Sequence, residues 1–94
     1  MAIISTKGAY GLTAIMILAK EDNNTLLQIK EIALKGDIPK NYLEQILVLL
    51  KKSGLVESVR GANGGYKLSR DASTITVYEV VNSLECCLTQ IENK

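Results

Sequence analysis

The chain has 94 residues, 47% of them hydrophobic, with no Trp, no Phe, four Tyr and a formal net charge of +1. That length suits one domain with a simple aliphatic core. The apolar stretch Ala14–Ala19 falls far short of the ~20 residues of a membrane span, and it lacks the flanks of a signal peptide, so the expectation is a soluble cytoplasmic protein with no membrane partner. The cations are unevenly spread: residues 30–70 carry Lys30, Lys35, Lys40, Lys51, Lys52, Arg60, Lys67 and Arg70 against Glu31, Asp37, Glu44 and Glu57, whereas residues 71–94 are acidic. The middle is either an electrostatic footprint for phosphates or ordinary solvated surface.

In chain order, Ser5 and Thr6 offer capping oxygens ahead of an apolar helix running to Ala19. Leu12, Ile15, Met16 and Ala19 make one helical stripe, and Ile17 and Leu18 fall outside it, so something must cover a second apolar face. Glu21-Asp22-Asn23-Asn24 supply a turn that ends the helix. A short helix with Ile29, Ile32 and Ala33 on one side follows; Thr25 and Gln28 fit a capping box, although Thr25-Leu26 reads equally as a stub of strand. Lys35 and Gly36 stop that helix, and Pro39 opens the next after a very tight turn.

The helix from Pro39 to Lys52 has two opposed faces. Leu43, Ile46, Leu47 and Leu50 form an aliphatic stripe, while Asn41, Glu44, Gln45 and Val48 repeat that spacing about 200° away. The second face presents amide and carboxylate groups suited to base edges. Lys51 and Lys52 close the helix near where a phosphate backbone would run, and Gly54 is its stop. Val56–Arg60 and Tyr66–Leu68 alternate as short strands around Gly61-Ala62-Asn63-Gly64-Gly65. After Arg70-Asp71-Ala72-Ser73, Thr76 and Glu79 form a capping box for a last helix with Val77, Val80, Val81 and Leu84 as its buried stripe. Leu88 and Ile91 continue the period weakly, so the helix either runs on or breaks near Cys86. The order predicts a mainly α fold with a small β-hairpin (α+β), a winged helix-turn-helix. It assigns 1–85 to the DNA-binding domain and 86–94 to a tail.

Three segments carry a resemblance to a known family: Ser5-Thr6-Lys7-Gly8-Ala9-Tyr10-Gly11-Leu12, Tyr42-Leu43-Glu44-Gln45-Ile46-Leu47 with Leu50-Lys51-Lys52-Ser53-Gly54-Leu55-Val56, and Val59-Arg60-Gly61-Ala62-Asn63-Gly64-Gly65-Tyr66. In this order and spacing the chain resembles the Rrf2 family of bacterial transcriptional regulators. The resemblance implies a homodimer on a partly palindromic DNA operator, probing the major groove with the 39–52 helix and the minor groove with the 60–66 wing, most often as a repressor. Carried over by position, it implies base and phosphate contacts from Asn41, Tyr42, Glu44 and Gln45. Wing contacts come from Arg60, Gly61, Gly64 and Gly65, and backbone contacts from Ser5, Thr6 and Lys7. The chemistry suits those roles: Gln45 can pair bidentately with adenine, Glu44 can accept from a cytosine amino group, and Arg60 suits a narrow minor groove. Each has a plainer reading too. Tyr42 can simply cap the core edge, Glu44 can be a solvated helix residue, Lys51 and Lys52 can be surface lysines, and the glycines can serve the hairpin alone.

The chain departs from the family at two points. Cluster-binding members carry three cysteines in a loop after the fourth helix, whereas Cys86 and Cys87 are adjacent, fall too early, and have no counterpart near Asn93. With no His in the chain, the expectation is no cofactor, no metal and no iron–sulfur cluster. The two cysteines read as structural, with redox-sensing thiols as the alternative. Secondly, the long helix by which members cross to their partner is not in the sequence. The tail 86–94 is therefore read as the start of a missing or shortened dimerisation region. The over-apolar first helix also admits a second function, a protein-interaction module docking a partner there. Catalysis is not expected, because no nucleophile elbow, phosphate-cradling loop or paired-carboxylate scaffold is legible.

Overall fold

The computed structural model describes residues 6–21 and 25–92, with 85–92 as helix backbone. Its elements are α1 (Thr6–Ala19), α2 (Ile29–Gly36), α3 (Lys40–Lys52), the antiparallel pair β1 (Val56–Val59) and β2 (Gly65–Leu68), a 3-10 turn (Ala72–Thr74) and α4 (Val77–Glu92). This is a winged helix-turn-helix, with the core where α1, α2, α3 and α4 meet. Among the described residues no helix is long and apolar enough to cross a membrane.

The stripe of α3 is buried in full: Leu43, Ile46, Leu47 and Leu50 are at most 1% exposed. Ile32 from α2 and Val80 and Leu84 from α4 complete the inner shell. The expected stripe of α1 needs correction. Its buried residues are Gly8, Gly11, Ala14, Ile15 and Leu18, whereas Met16 is 61% exposed and Ala19 lies at the surface. The reason is close helix packing. A Cβ on Gly11 would overlap Leu84 Cδ1, and one on Gly36 would sit 3.0 Å from Ile17 and Thr13 methyl carbons. Small residues therefore mark the inward face, and an apolar-periodicity count does not register them. Val77, placed in the α4 stripe, is likewise exposed.

The connections follow local hydrogen bonding. Gln28, not Thr25, caps α2: its carbonyl accepts the Glu31 N–H at 2.9 Å, and its own N–H donates to Glu31 Oε1 at 2.8 Å. The strand stub falls at Leu27, which exchanges hydrogen bonds with Tyr66 at 3.0 and 2.7 Å and so ties the wing to the segment before α2. The left-handed residue ending α2 is Asp37 (φ 54°, ψ 47°), not Gly36. Pro39 sits just outside α3 as its cap. Gly54 (φ 81°) ends α3 as expected, with the Leu55 N–H reaching back to the Leu50 carbonyl at 3.0 Å.

The hairpin register runs from Val56↔Leu68 to Val59↔Gly65, so Arg60 lies in the wing loop rather than in the strand. The Thr76–Glu79 box is present, Glu79 N–H donating to Thr76 Oγ1 at 3.1 Å and Thr76 N–H to Glu79 Oε1 at 3.0 Å. The backbone of α4 continues through positions 86 and 87 to Glu92 without a break. Ser5, the 22–24 turn, Asn93 and the side chains of Cys86, Cys87, Leu88 and Ile91 lie outside the described residues.

Candidate nucleic-acid interface

Burial of one face of α3 dictates what the other presents. Asn41, Glu44, Gln45 and Val48 all lie at the surface, and Val48 is 57% exposed although every core aliphatic of the same helix is covered. The face thus combines an amide-rich row with one branched methyl surface, the two chemistries that distinguish base pairs in a major groove. Tyr42 behaves differently from its neighbours. It is half-buried, and its ring meets the Tyr10 ring edge-on at 5.2 Å and 81°. The ring therefore fastens the first turn of α3 to α1, one helical turn from Thr6 and Lys7. Thr6 is exposed and Lys7 is half-buried, and both lie in the first turn of α1, one turn before Tyr10.

The wing glycines divide by cause. Gly61 has φ 113°, and a Cβ added there would meet nothing within 4 Å, so its need is conformational. Gly64 is needed for space and Gly65 for both reasons: a Cβ on Gly64 would overlap the Val59 carbonyl, and one on Gly65, whose φ is 156°, would lie 2.6 Å from the Leu27 carbonyl oxygen. The Gly64 N–H closes the loop onto the Gly61 carbonyl at 3.0 Å, leaving Arg60, Gly61, Ala62 and Asn63 exposed. Of the sequence-derived wing residues, Arg60 and Gly61 stand at the surface, Gly64 is buried and Gly65 half-buried. The latter two build the wing.

Between the wing and the helices lies an open cleft. Lys51 and Arg60 supply its cations, with Gln28, Ser58, Gly61 and Tyr66 among the other walls, and no carboxylate lines it. Lys51 Nζ donates to Ser58 Oγ at 2.7 Å, bridging the end of α3 to β1. Gln28, Ser58 and Tyr66 were not legible as site residues, because α2, β1 and β2 converge here only through the Leu27–Tyr66 bridge. Behind the wing, Arg70 pairs with Glu79 and bonds Thr74. The Thr76 N–H and then the Arg70 guanidinium hold the Glu79 carboxyl below the ordinary carboxylate range.

The chain has two adjacent cysteines and no histidine, and among the described residues no three His, Cys, Asp or Glu side chains gather.

Comparison with known proteins places this geometry. Residues 4–94 match the Rrf2 family model, described as an iron-dependent transcriptional regulator. The chain is 44% identical over 84 residues to the HTH-type transcriptional regulator IscR of Cereibacter sphaeroides, covering 87% of this chain and 54% of that one. It is 40% identical over 89 residues to the HTH-type transcriptional regulator CymR of Bacillus subtilis, covering 95% and 64%. The chain thus spans between half and two-thirds of the length of these relatives. Among solved structures, CymR of B. subtilis, the global cysteine regulator, superposes with a TM-score of 0.85 at 42% identity over 90% of this chain and 66% of that one. The T. potens IscR structure gives 0.82 at 33% identity over 98% and 75%. This chain belongs to the Rrf2 family.

Proposed function

We propose that this Rrf2-family chain is a sequence-specific DNA-binding transcriptional regulator that represses by occupying a partly palindromic operator as a homodimer. The observation that carries the reading is the exposed Asn41–Glu44–Gln45–Val48 face on a helix whose opposite face is buried, beside a cationic cleft and a glycine-built wing. With α3 in the major groove, Gln45 pairs with an adenine, Glu44 accepts from a cytosine amino group and Val48 packs on a thymine methyl. Arg60 and Gly61 enter the flanking minor groove, whose negative potential favours the guanidinium. Thr6, Lys7 and Tyr42 face the phosphates at the other end of the helix.

The dimer is supported by an apolar groove between α1 and the start of α4. Leu12, Ile15, Met16, Ile75 and Val77 line it, and both Met16 and Val77 are 61% exposed. A second copy covering it would serve a partly palindromic operator if it set the two α3 helices about one DNA turn apart. The same groove favours a second reading, in which a different protein docks on α1 and the basic surface is incidental.

Selection from random-sequence duplexes tests the proposal. A regulator enriches an inverted repeat with half-sites about 10 base pairs apart, bound with steep salt dependence. Enrichment of no motif, together with a stable protein partner on α1, supports the second reading and overturns the first.

A further inference from the structure

A recognition helix in the major groove and a wing in the adjacent minor groove have one sugar–phosphate strand running between them. Given the proposed docking, on which this inference rests, that strand must lie over the cleft between α3 and the hairpin. The cleft is built for an anion: Lys51 and Arg60 line it, Gln28 and Ser58 add polar groups, and no acidic side chain faces it. Glu57, next to Ser58 in the chain, does not line the cleft, and Glu31 is bonded to the Gln28 N–H.

Two neighbouring lysines end α3, and the structure separates them. Lys51 lines the cleft and is held there by Ser58 Oγ at 2.7 Å, whereas Lys52 does not line it. Among the described residues no carboxylate pairs with Lys51. An ammonium group has three donors and one goes to Ser58, so the same group can bridge the hydroxyl and a phosphate oxygen.

We propose that Lys51, positioned by Ser58, forms the seat for the single DNA phosphate that passes between the major-groove helix and the minor-groove wing, and that Lys52 has no part in it. The contact carries no base information. Its effect is to fix the register between the two reading elements, so that base contacts by α3 and groove contacts by Arg60 are made at one spacing.

The test uses the full chain and the duplex it enriches from a random pool. Lys51→Met is expected to lower the slope of log affinity against log salt by about 0.9 per bound subunit, equivalent to roughly an eightfold loss at 0.1 M relative to 1 M salt. Lys52→Met, which removes the same charge one residue away, leaves the slope within error, and Lys51→Arg restores it. A methylphosphonate walked along the strand between the grooves weakens wild type at one position, and that penalty vanishes in Lys51→Met. Equal slopes for Lys51→Met and Lys52→Met, or a methylphosphonate penalty that persists in Lys51→Met, overturn the seat while leaving DNA binding intact. A wild-type chain that enriches no duplex overturns the DNA-binding reading and the seat with it. Circular dichroism of all three variants confirms that the comparison is between folded proteins.

Discussion

Replacing Gly65 by alanine separates the wing's attachment from the stability of the helical core. The added methyl would lie 2.6 Å from the Leu27 carbonyl oxygen, 2.8 Å from its carbon and 3.1 Å from its nitrogen, all backbone atoms that cannot turn aside as a side chain would. The local chain must move, and the bonds that give way are the Leu27–Tyr66 pair at 3.0 and 2.7 Å. Two backbone hydrogen bonds at about 0.5–1.5 kcal/mol net each place the cost at about 1–3 kcal/mol. A domain of this size has on the order of 5–14 kcal/mol in total, so the variant stays folded. Urea denaturation reports the loss as a lower midpoint with an unchanged slope. Amide exchange localises it: Tyr66 and Leu27 lose protection while the α3 core amides keep theirs. Gly61→Ala is the control, because its methyl meets nothing within 4 Å and any strain stays in the loop. Retained protection at Tyr66 in Gly65→Ala would refute the claim that this bridge fixes the wing.

Asp37 occupies a left-handed conformation at φ 54° and places a carboxylate at a helix C-terminus. Asp37→Gly is therefore expected to raise stability by about 1 kcal/mol, read by thermal melting; a lower Tm contradicts it. Thr76→Ala removes the α4 cap at about 1 kcal/mol. Since the folded carboxyl of Glu79 titrates below its unfolded value, its stabilising contribution is present at neutral pH and is lost as acidification passes through that depressed range. Glu79→Gln should flatten that part of the acid-stability curve, and an identical curve would count against the assignment. Val48 is tested by replacing operator thymines with deoxyuridine, which removes only the methyl. One position should weaken binding to wild type by about 1 kcal/mol and be neutral in Val48→Ala, whereas equal penalties in both proteins exclude the contact.

The helix α3 was legible because its two faces differ in polarity at the helical period, and nothing in the fold overrides that pattern. The Thr76–Glu79 box and the Gly54 stop were legible for a similar reason: their partners lie within four residues. What the local pattern does not carry depends on distant segments. The inward face of α1 is set by where α4 and α2 cross it, so Gly11 and Gly36 matter more than Met16. The Gln28 cap displaced Thr25 because Leu27 is drawn into a bridge with Tyr66, 39 positions later in the chain. Lys51 and Lys52 are equivalent in sequence, and only the folding of β1 back along α3 gives one of them Ser58 as a partner. For Tyr42 the plainer alternative captured half the role: the ring does cover the core edge, and in doing so it brings α1 beside the first turn of α3.

The central claim is that α3 reads bases while the wing reads the adjacent groove, and one measurement addresses both. Gln45→Ala, Arg60→Ala and the double variant are titrated against the selected duplex and against a library of its single base-pair variants. The expected result is a loss of about 1–3 kcal/mol for Gln45→Ala together with relaxed preference at one major-groove position. Arg60→Ala should lose affinity and preference only in the flanking minor groove, and the double variant should lose both. Unchanged affinity and unchanged base preference in the double variant would contradict the proposed mode of reading.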